Sequence, residues 1–119
     1  MNTRKTGNSW ESAACRWLTD HGYQIIERNF HCKFGEIDII AFRDSTFVFV
    51  EVKYRKSYGS GYAQEAVLPS KQKKICSTAD YFRMKYGITE RYGFRFDVIA
   101  VNDGKITHIE NAFPYTGSF

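Results

Sequence analysis

The sequence has few cysteines and no long apolar segment. Its three cysteines, Cys15, Cys32 and Cys76, are widely spaced and include no Cys-x-x-Cys pair, which argues against a disulfide framework and a zinc cluster. The first ten residues lack an apolar run, and no stretch reaches the roughly 18 consecutive apolar residues typical of a membrane helix. We therefore expect a cytoplasmic protein with reduced thiols, and neither a signal peptide nor a membrane span.

Aromatic and positively charged residues are, in contrast, plentiful. Hydrophobic residues make up 43% of the 119 residues and aromatic residues 17%, so we expect one folded domain over residues 1 to 119. Residues 1 to 7 are polar and are expected to be flexible. The net charge of +4 favours a polyanionic partner such as nucleic acid, although modest basicity is also common in proteins without such a partner.

Hydrophobic periodicity predicts two helices and five strands. The helices are expected from Asn8 or Ser9 to Gly22 and from Ser70 to about Tyr86. The strands are expected at residues 23 to 30, on both arms of a hairpin within 35 to 55, and at 94 to 101 and 106 to 110, the last two joined by an Asn-Asp-Gly turn. This order indicates an α/β or α+β protein with a mixed central sheet flanked by helices.

The central hairpin, residues 35 to 55, is predicted to turn at Asp44 and Ser45. With that turn, stepping outward along both arms sets Asp38 directly opposite Glu51. Side chains alternate between the two faces of a strand. On the first arm, alternation is expected to place three side chains on one face, those of Ile37, Ile39 and Ala41.

Two opposed carboxylates repel each other unless a cation lies between them. Alternation puts Lys53 on the same face as Glu51, so these two residues and Asp38 predict a hard-metal site beside an ammonium group. That combination suits cleavage of a phosphodiester. The alternative is a solvated sheet face on which Lys53 pairs with Glu36 or Glu51. The apolar run from Phe47 to Val50 favours the metal site, because charges next to a buried strand need a partner.

Several charged residues outside the hairpin have two interpretations. Glu11 lies at the border of the apolar stripe of the first helix and can reach a site at the sheet, or it is simply a first-turn glutamate favoured by the helix dipole. Lys71, Lys73 and Lys74 crowd the first turn of the second helix, which predicts a nearby anion or else a solvated basic end. Asp97 is expected to be the partner of an arginine rather than a site residue.

Five segments in this order resemble a known family. They are ERNFHCKFGEIDIIAF, FVFVEVKYR, EAV followed by a lysine-rich helix, RFDVIAV and HIENAF. The chain is similar, from Gly7 to Phe113, to the YraN-like family of small bacterial proteins within the restriction-endonuclease-like, PD-(D/E)XK superfamily. The resemblance implies a central mixed sheet flanked by helices and an endonuclease that depends on Mg²⁺ or Mn²⁺.

The resemblance also implies roles for particular residues. The implied metal ligands are Asp38, Glu51, the Val52 carbonyl and, by analogy with archaeal Holliday-junction resolvases, Glu11. Lys53 is the implied catalytic lysine, which makes it the fourth catalytic residue beside Asp38, Glu51 and Glu11. The chain departs from the pattern at Trp10, where similar proteins often have a glycine, and this affects the expected position of Glu11.

Contacts to nucleic acid are expected around this site. The candidate phosphate-binding residues are Arg28, Arg55 and Lys71, and Gln64 and Glu65 are further candidates in a glycine-rich loop. The predicted function is hydrolysis of phosphodiesters, with branched or structured DNA in repair or recombination as one substrate class. The alternatives are a catalytically silent nucleic-acid-binding module of the same fold and a small protein whose basic helix docks on an acidic partner. A homodimer is a further option, because cutting two strands of a junction needs two sites.

Overall fold

A computed structural model describes residues 3 to 55 and 67 to 116 of the chain. The elements in chain order are α1 (Thr3–Asp20), β1 (Gln24–Cys32), β2 (Gly35–Arg43), β3 (Thr46–Arg55), α2 (Pro69–Lys85), β4 (Gly93–Asn102) and β5 (Lys105–Phe113). The strands form one sheet in the order β1-β2-β3-β4-β5, in which only β3 and β4 are parallel among the described strands. The predicted α+β fold with a mixed sheet is therefore confirmed.

The turn of the central hairpin lies where it was predicted. Asp44 and Ser45 have φ angles of 53° and 59°, and two positive φ values in succession are those of a type I′ turn, whose twist matches that of the flanking strands. The ladder between β2 and β3 runs from Arg43 opposite Thr46 to Ile39 opposite Val50. The ladder ends there, one position before Asp38 and Glu51, so their direct opposition stays a prediction.

The helices cover opposite faces of the sheet. On the α1 face, Ala14 and Leu18 of the helix pack against buried side chains of the sheet and of the residue before β1, namely Tyr23, Ile39, Ala41, Val48, Val50, Ile99 and Val101. On the α2 face, four residues of the helix, Ile75, Cys76, Ala79 and Phe82, pack against buried side chains of the sheet, namely Phe30, Ile37, Ile40, Phe49, Phe96, Val98 and Phe113. Both helices thus bury residues spaced by three or four positions, as an amphipathic stripe requires.

The expected face of Ile37 is wrong. Ile37 packs with Ile40 on the α2 face, whereas Ile39 packs on the α1 face. Alternation along β2 is therefore interrupted at Asp38, at the end of the described ladder with β3. The neighbouring strand β1 is also irregular at this level, because Asn29 has a φ angle of 54°. A local irregularity of this kind turns the following side chains to the other face.

Several element boundaries differ from the prediction, among them the start of α1 and the ends of β1 and β5. Helix α1 begins at Thr3 instead of Asn8 or Ser9, since no proline interrupts the preceding polar residues and an internal glycine costs only about 1 kcal/mol relative to alanine. Strand β1 continues to Cys32, so the turn before β2 is shorter than expected. Strand β5 continues to Phe113, which is buried and anchors the strand end in the core.

Candidate active site

Asp38 lies one position beyond the end of the described β2–β3 ladder. Its side chain there accepts a hydrogen bond from the backbone of β3. The Val52 N–H of β3 donates to Asp38 Oδ2 over 2.8 Å. Burial raises the pKa of Asp38 to about 7, the neighbouring charge of Glu51 adds to the increase and Glu11 contributes further, while the Val52 hydrogen bond and Lys71 oppose it. The Asp38 carboxyl therefore titrates near neutral pH instead of remaining fully ionised.

Glu51 is a buried carboxylate held by two lysines. It shares the α2 face of β3 with Phe49 because the two residues are two positions apart, and its residue surface is only 6% exposed. Its Oε2 lies 3.4 Å from Lys53 Nζ and 3.3 Å from Lys71 Nζ. The anion predicted near the first turn of α2 is therefore Glu51. The alternative pairing of Lys53 with Glu51 is also present, but on a buried face rather than a solvated one.

Glu11 brings a third carboxylate from α1 toward the same place. Its charge contributes to the raised pKa of Asp38, after burial and Glu51. Among the described residues Glu11 Oε1 is buried without a hydrogen-bond partner, and it forms a long ion pair with Arg28 Nη2, 3.9 Å away. That Arg28 nitrogen donates to Ser12 Oγ over 3.2 Å. A buried oxygen without a hydrogen bond is uncommon and calls for an explanation.

The remaining predicted site residues fall into two groups. Arg28 borders Glu11, and Val52 contacts Asp38 through its N–H, a role that sequence reasoning missed and that the end of the hairpin ladder explains. The role of the Val52 carbonyl stays a prediction. The side chain of Arg55, together with Gln64 and Glu65, lies outside the described residues, so their expected contacts also stay predictions.

The donor groups at this site are those that a hard cation prefers. Carboxylate and carbonyl oxygens are the usual ligands of Mg²⁺ and Mn²⁺. The unpartnered Glu11 oxygen and the raised pKa of Asp38 are both features that a bound cation would relieve. In the described part of the chain, however, no three His, Cys, Asp or Glu side chains are grouped closely enough to hold an ion in common. The chemistry of the residues nevertheless fits a divalent metal.

A second polar cluster lies on β4 and β5 and is structural. Asp97 is fully buried, and its carboxylate accepts from Arg95 Nε over 3.0 Å and from the Asn111 N–H over 2.9 Å, with His108 Nε2 at 2.7 Å. Burial acts to raise the pKa of Asp97, but the hydrogen bonds from His108, Arg95 and Asn111 outweigh it and lower the pKa below its usual value. The expectation that Asp97 pairs with an arginine is confirmed.

An apolar groove of about 740 Å³ lies near the turn of the central hairpin, away from the carboxylates. Its walls include Phe42 and Phe47 of the hairpin and Tyr86 and Ile88 after α2. Glu27 is the only carboxylate among its described lining residues. The acidic residues Asp38 and Glu51 are therefore not part of this groove. As a separate finding, neither described helix is long and apolar enough to cross a membrane.

The fold gives the structural class of this protein, and the known relatives give its family. A five-stranded mixed sheet with one helix on each face is the α+β architecture predicted from the sequence. The model of the family described as "Uncharacterised protein family UPF0102" matches residues 10 to 101. The chain belongs to this family, which is the YraN-like family indicated by the sequence motifs.

Individual relatives cover nearly the whole chain. A UPF0102 protein of Lachnoclostridium phytofermentans is 41% identical over 99% of this chain and 100% of its own length. A UPF0102 protein of Caldicellulosiruptor bescii is 43% identical over 95% and 100% of the two chains. One of Aliivibrio salmonicida is 46% identical over 93% of each. These names give the family and state no activity.

Proposed function

We propose that this protein is a metal-dependent endonuclease that hydrolyses phosphodiester bonds of nucleic acid, with branched or structured DNA as the first substrate class. The observation that supports this most is the environment of Asp38, whose pKa is raised to about 7 by burial and by Glu51. Holding two such carboxylates together costs stability unless a cation compensates them. Carboxylates with strongly shifted pKa values are concentrated at functional sites.

Asp38, Glu51 and Glu11, together with the Val52 carbonyl, would hold Mg²⁺ or Mn²⁺. When bound, such an ion supplies Lewis acidity that lowers the pKa of a water and offsets negative charge on the phosphoryl group. The protein fixes the ligands on three different elements, α1, β2 and β3. The main-chain donor of Val52 orients the Asp38 carboxylate, as partners of metal ligands commonly do.

Lys53 is the residue that we assign to the reacting groups. Its ammonium lies 3.4 Å from Glu51 Oε2, and its side chain is 23% exposed, so it is both positioned by the carboxylate and accessible to substrate. There it donates hydrogen bonds to the attacking water or to a phosphoryl oxygen and stabilises negative charge. Arg28, Arg55 and Lys71 bind flanking phosphates, for which guanidinium and ammonium groups are suited.

The direct test is cleavage by protein purified without metal. Mn²⁺ is added, and branched, single-stranded and duplex DNA are offered separately. We expect wild-type cleavage of at least one of them and a loss of about 100-fold or more in Asp38→Asn and Lys53→Met, the usual size for groups that stabilise the transition state. Asp44→Asn, an exposed aspartate on the same hairpin, is the matched control and should remain active. Wild-type rates in Asp38→Asn or Lys53→Met would refute their assignment.

A second function, nucleic-acid binding without cleavage, is favoured by one observation. Lys53 and Lys71 already neutralise Glu51, so that carboxylate is compensated without a metal. A silent binding module predicts salt-dependent binding of DNA, no heat on titration with Mn²⁺ and no effect of Asp38→Asn on DNA affinity. Heat with Mn²⁺ that disappears in Asp38→Asn would favour the enzyme instead.

A further inference from the structure

One carboxylate oxygen at the site is contacted by two ammonium groups. Lys53 Nζ and Lys71 Nζ lie 3.4 Å and 3.3 Å from the same atom, Glu51 Oε2. Glu51 has a single negative charge. One ammonium group is enough to neutralise it, so the second lysine contributes an excess positive charge. The side chain of Lys71 is 44% exposed and that of Lys53 23%. Lys71 is therefore the lysine that leaves the site more readily.

The two lysines are also held by different kinds of element. Lys53 is two positions from Glu51 on the same strand, and its backbone is paired with Ala100 of β4. Lys71 lies in the first turn of α2, where the positive end of the helix dipole disfavours an ammonium group. The helix itself is anchored by Ile75 and Ala79 in the core. The backbone of Lys71 thus stays in place while its long side chain is free to change direction.

An ion that binds Glu51 competes with Lys71. Mg²⁺ takes oxygen ligands at about 2.0 to 2.1 Å, and a divalent cation at that distance from Oε2 repels an ammonium that contacts the same oxygen. Electrostatic repulsion is strong at such short range because the carboxylate is 7% exposed and screening by water is weak. The ammonium of Lys71 must then move toward solvent or toward another anion.

We propose that Lys71 is a displaceable counterion of the metal site. It occupies Glu51 in the metal-free protein, is released when a divalent cation binds, and then contacts a phosphate of the nucleic acid. This inference rests on the proposed function and adds to it a coupling between metal and substrate. Release of Lys71 by the metal provides a phosphate contact, and capture of Lys71 by a phosphate opens Glu51 to the metal, so each ligand strengthens binding of the other.

The first test is calorimetric titration of Mn²⁺ into the metal-free full-length protein without nucleic acid. Lys71→Met removes the competing ammonium and keeps the length of the side chain, and it should bind Mn²⁺ about two- to fivefold more tightly than wild type, the range that a partly exposed ion pair supports. Lys73→Met is the matched control, because Lys73 is exposed on the same helix turn and has no ion pair among the described residues. Its affinity should equal that of wild type.

A second measurement reports on Lys71 itself. The rate of acetylation of each lysine by an acylating reagent is followed by mass spectrometry with and without Mg²⁺. Release predicts faster modification of Lys71 when Mg²⁺ is present and no change at Lys73. The counterion proposal is overturned if wild type binds Mn²⁺ but Lys71→Met binds no more tightly, or if the reactivity of Lys71 does not change; the proposed metal site would survive either result. If neither wild type nor Lys71→Met binds Mn²⁺, both proposals fail.

Discussion

At the scale of single residues, Asp38 and Asp97 are expected to change the free energy of unfolding with pH in opposite directions. Burial and Glu51 raise the pKa of Asp38 to about 7, whereas hydrogen bonds lower that of Asp97 in spite of its burial. A group with a raised pKa in the folded state binds protons more tightly when folded, so the free energy of unfolding falls as the pH rises through its range. A group with a lowered pKa has the reverse effect.

Replacing Asp38 by asparagine is therefore expected to stabilise the metal-free protein. The stability cost of ionising Asp38 develops between its ordinary pKa of 3.8 and its folded pKa of about 7 and is fully present above pH 7. Asparagine still accepts the Val52 N–H and has no charge, so we expect a gain of about 1 to 3 kcal/mol at pH 8 that vanishes toward pH 4. Urea denaturation at both pH values measures it. Asp44→Asn should show no such gain, and an unchanged stability of Asp38→Asn at pH 8 would contradict the raised pKa.

Replacing Asp97 by asparagine is expected to have the opposite effect. It leaves Arg95 and His108 without their common carboxylate, and breaking a buried network of this kind costs about 3 kcal/mol or more at pH 7. Because the pKa of Asp97 lies below 3.8, its contribution is present above that pH and is lost as acid protonates the folded carboxylate. Denaturant unfolding at pH 7 and pH 3 measures the change. The exposed Asp103→Asn is the control, and a loss in Asp97→Asn that did not shrink at pH 3 would argue against an ionised Asp97.

Spacing predicted part of this arrangement at the residue scale, and tertiary contacts decided the rest. The position of the turn and the register that follows from it were predicted correctly as far as Ile39 opposite Val50. The face of Ile37 was not predictable from alternation, because the backbone is irregular at this level, as the φ angle of 54° at Asn29 in the neighbouring strand also shows. The pairing of Lys71 with Glu51 was foreseen only as a need for some anion, since the approach of α2 to β3 is set by core packing that spacing does not describe.

At the scale of elements, the two predicted turns join strands through residues with positive φ angles. Ser45 has a φ of 59° and Gly104 a φ of 85°. Glycine adopts this region without the clash that a β-carbon causes. We expect Ser45→Gly to stabilise the protein by about 0.5 kcal/mol and Gly104→Ala to destabilise it by about 1 kcal/mol. Thermal unfolding measures both, and changes of the same sign in the two variants would contradict the assigned turn conformations.

The elements themselves were more predictable than their ends. Hydrophobic periodicity located both helices, because Leu18 lies four positions after Ala14 and Phe82 three after Ala79, and all four are buried. The start of α1 was not predictable, since the described helix begins at Thr3 within a polar stretch that has no apolar stripe. End positions depend on capping and on contacts that a periodic pattern does not contain.

At the scale of the whole molecule, the proposed function requires attraction to a polyanion. The net charge is +4, and the cations nearest the site include Arg28 and Lys71. We expect DNA affinity to fall steeply between 50 and 200 mM salt. Lys71→Met and Arg28→Met should each reduce the slope of the logarithm of affinity against that of salt concentration by about 0.9, the value for one phosphate contact. Fluorescence anisotropy with a labelled oligonucleotide measures the slopes. Slopes equal to that of wild type would remove these residues from the proposed interface.

The central claim is that the carboxylates of Asp38 and Glu51 hold a divalent cation. Crystals grown without metal and soaked in Mn²⁺ test it most directly, because anomalous scattering locates manganese independently of its surroundings. We predict one strong anomalous peak between the carboxylates of Asp38 and Glu51, and its loss in Asp38→Asn crystals soaked in the same way. Crystals that take up manganese elsewhere but show no peak between these two side chains would contradict the claim.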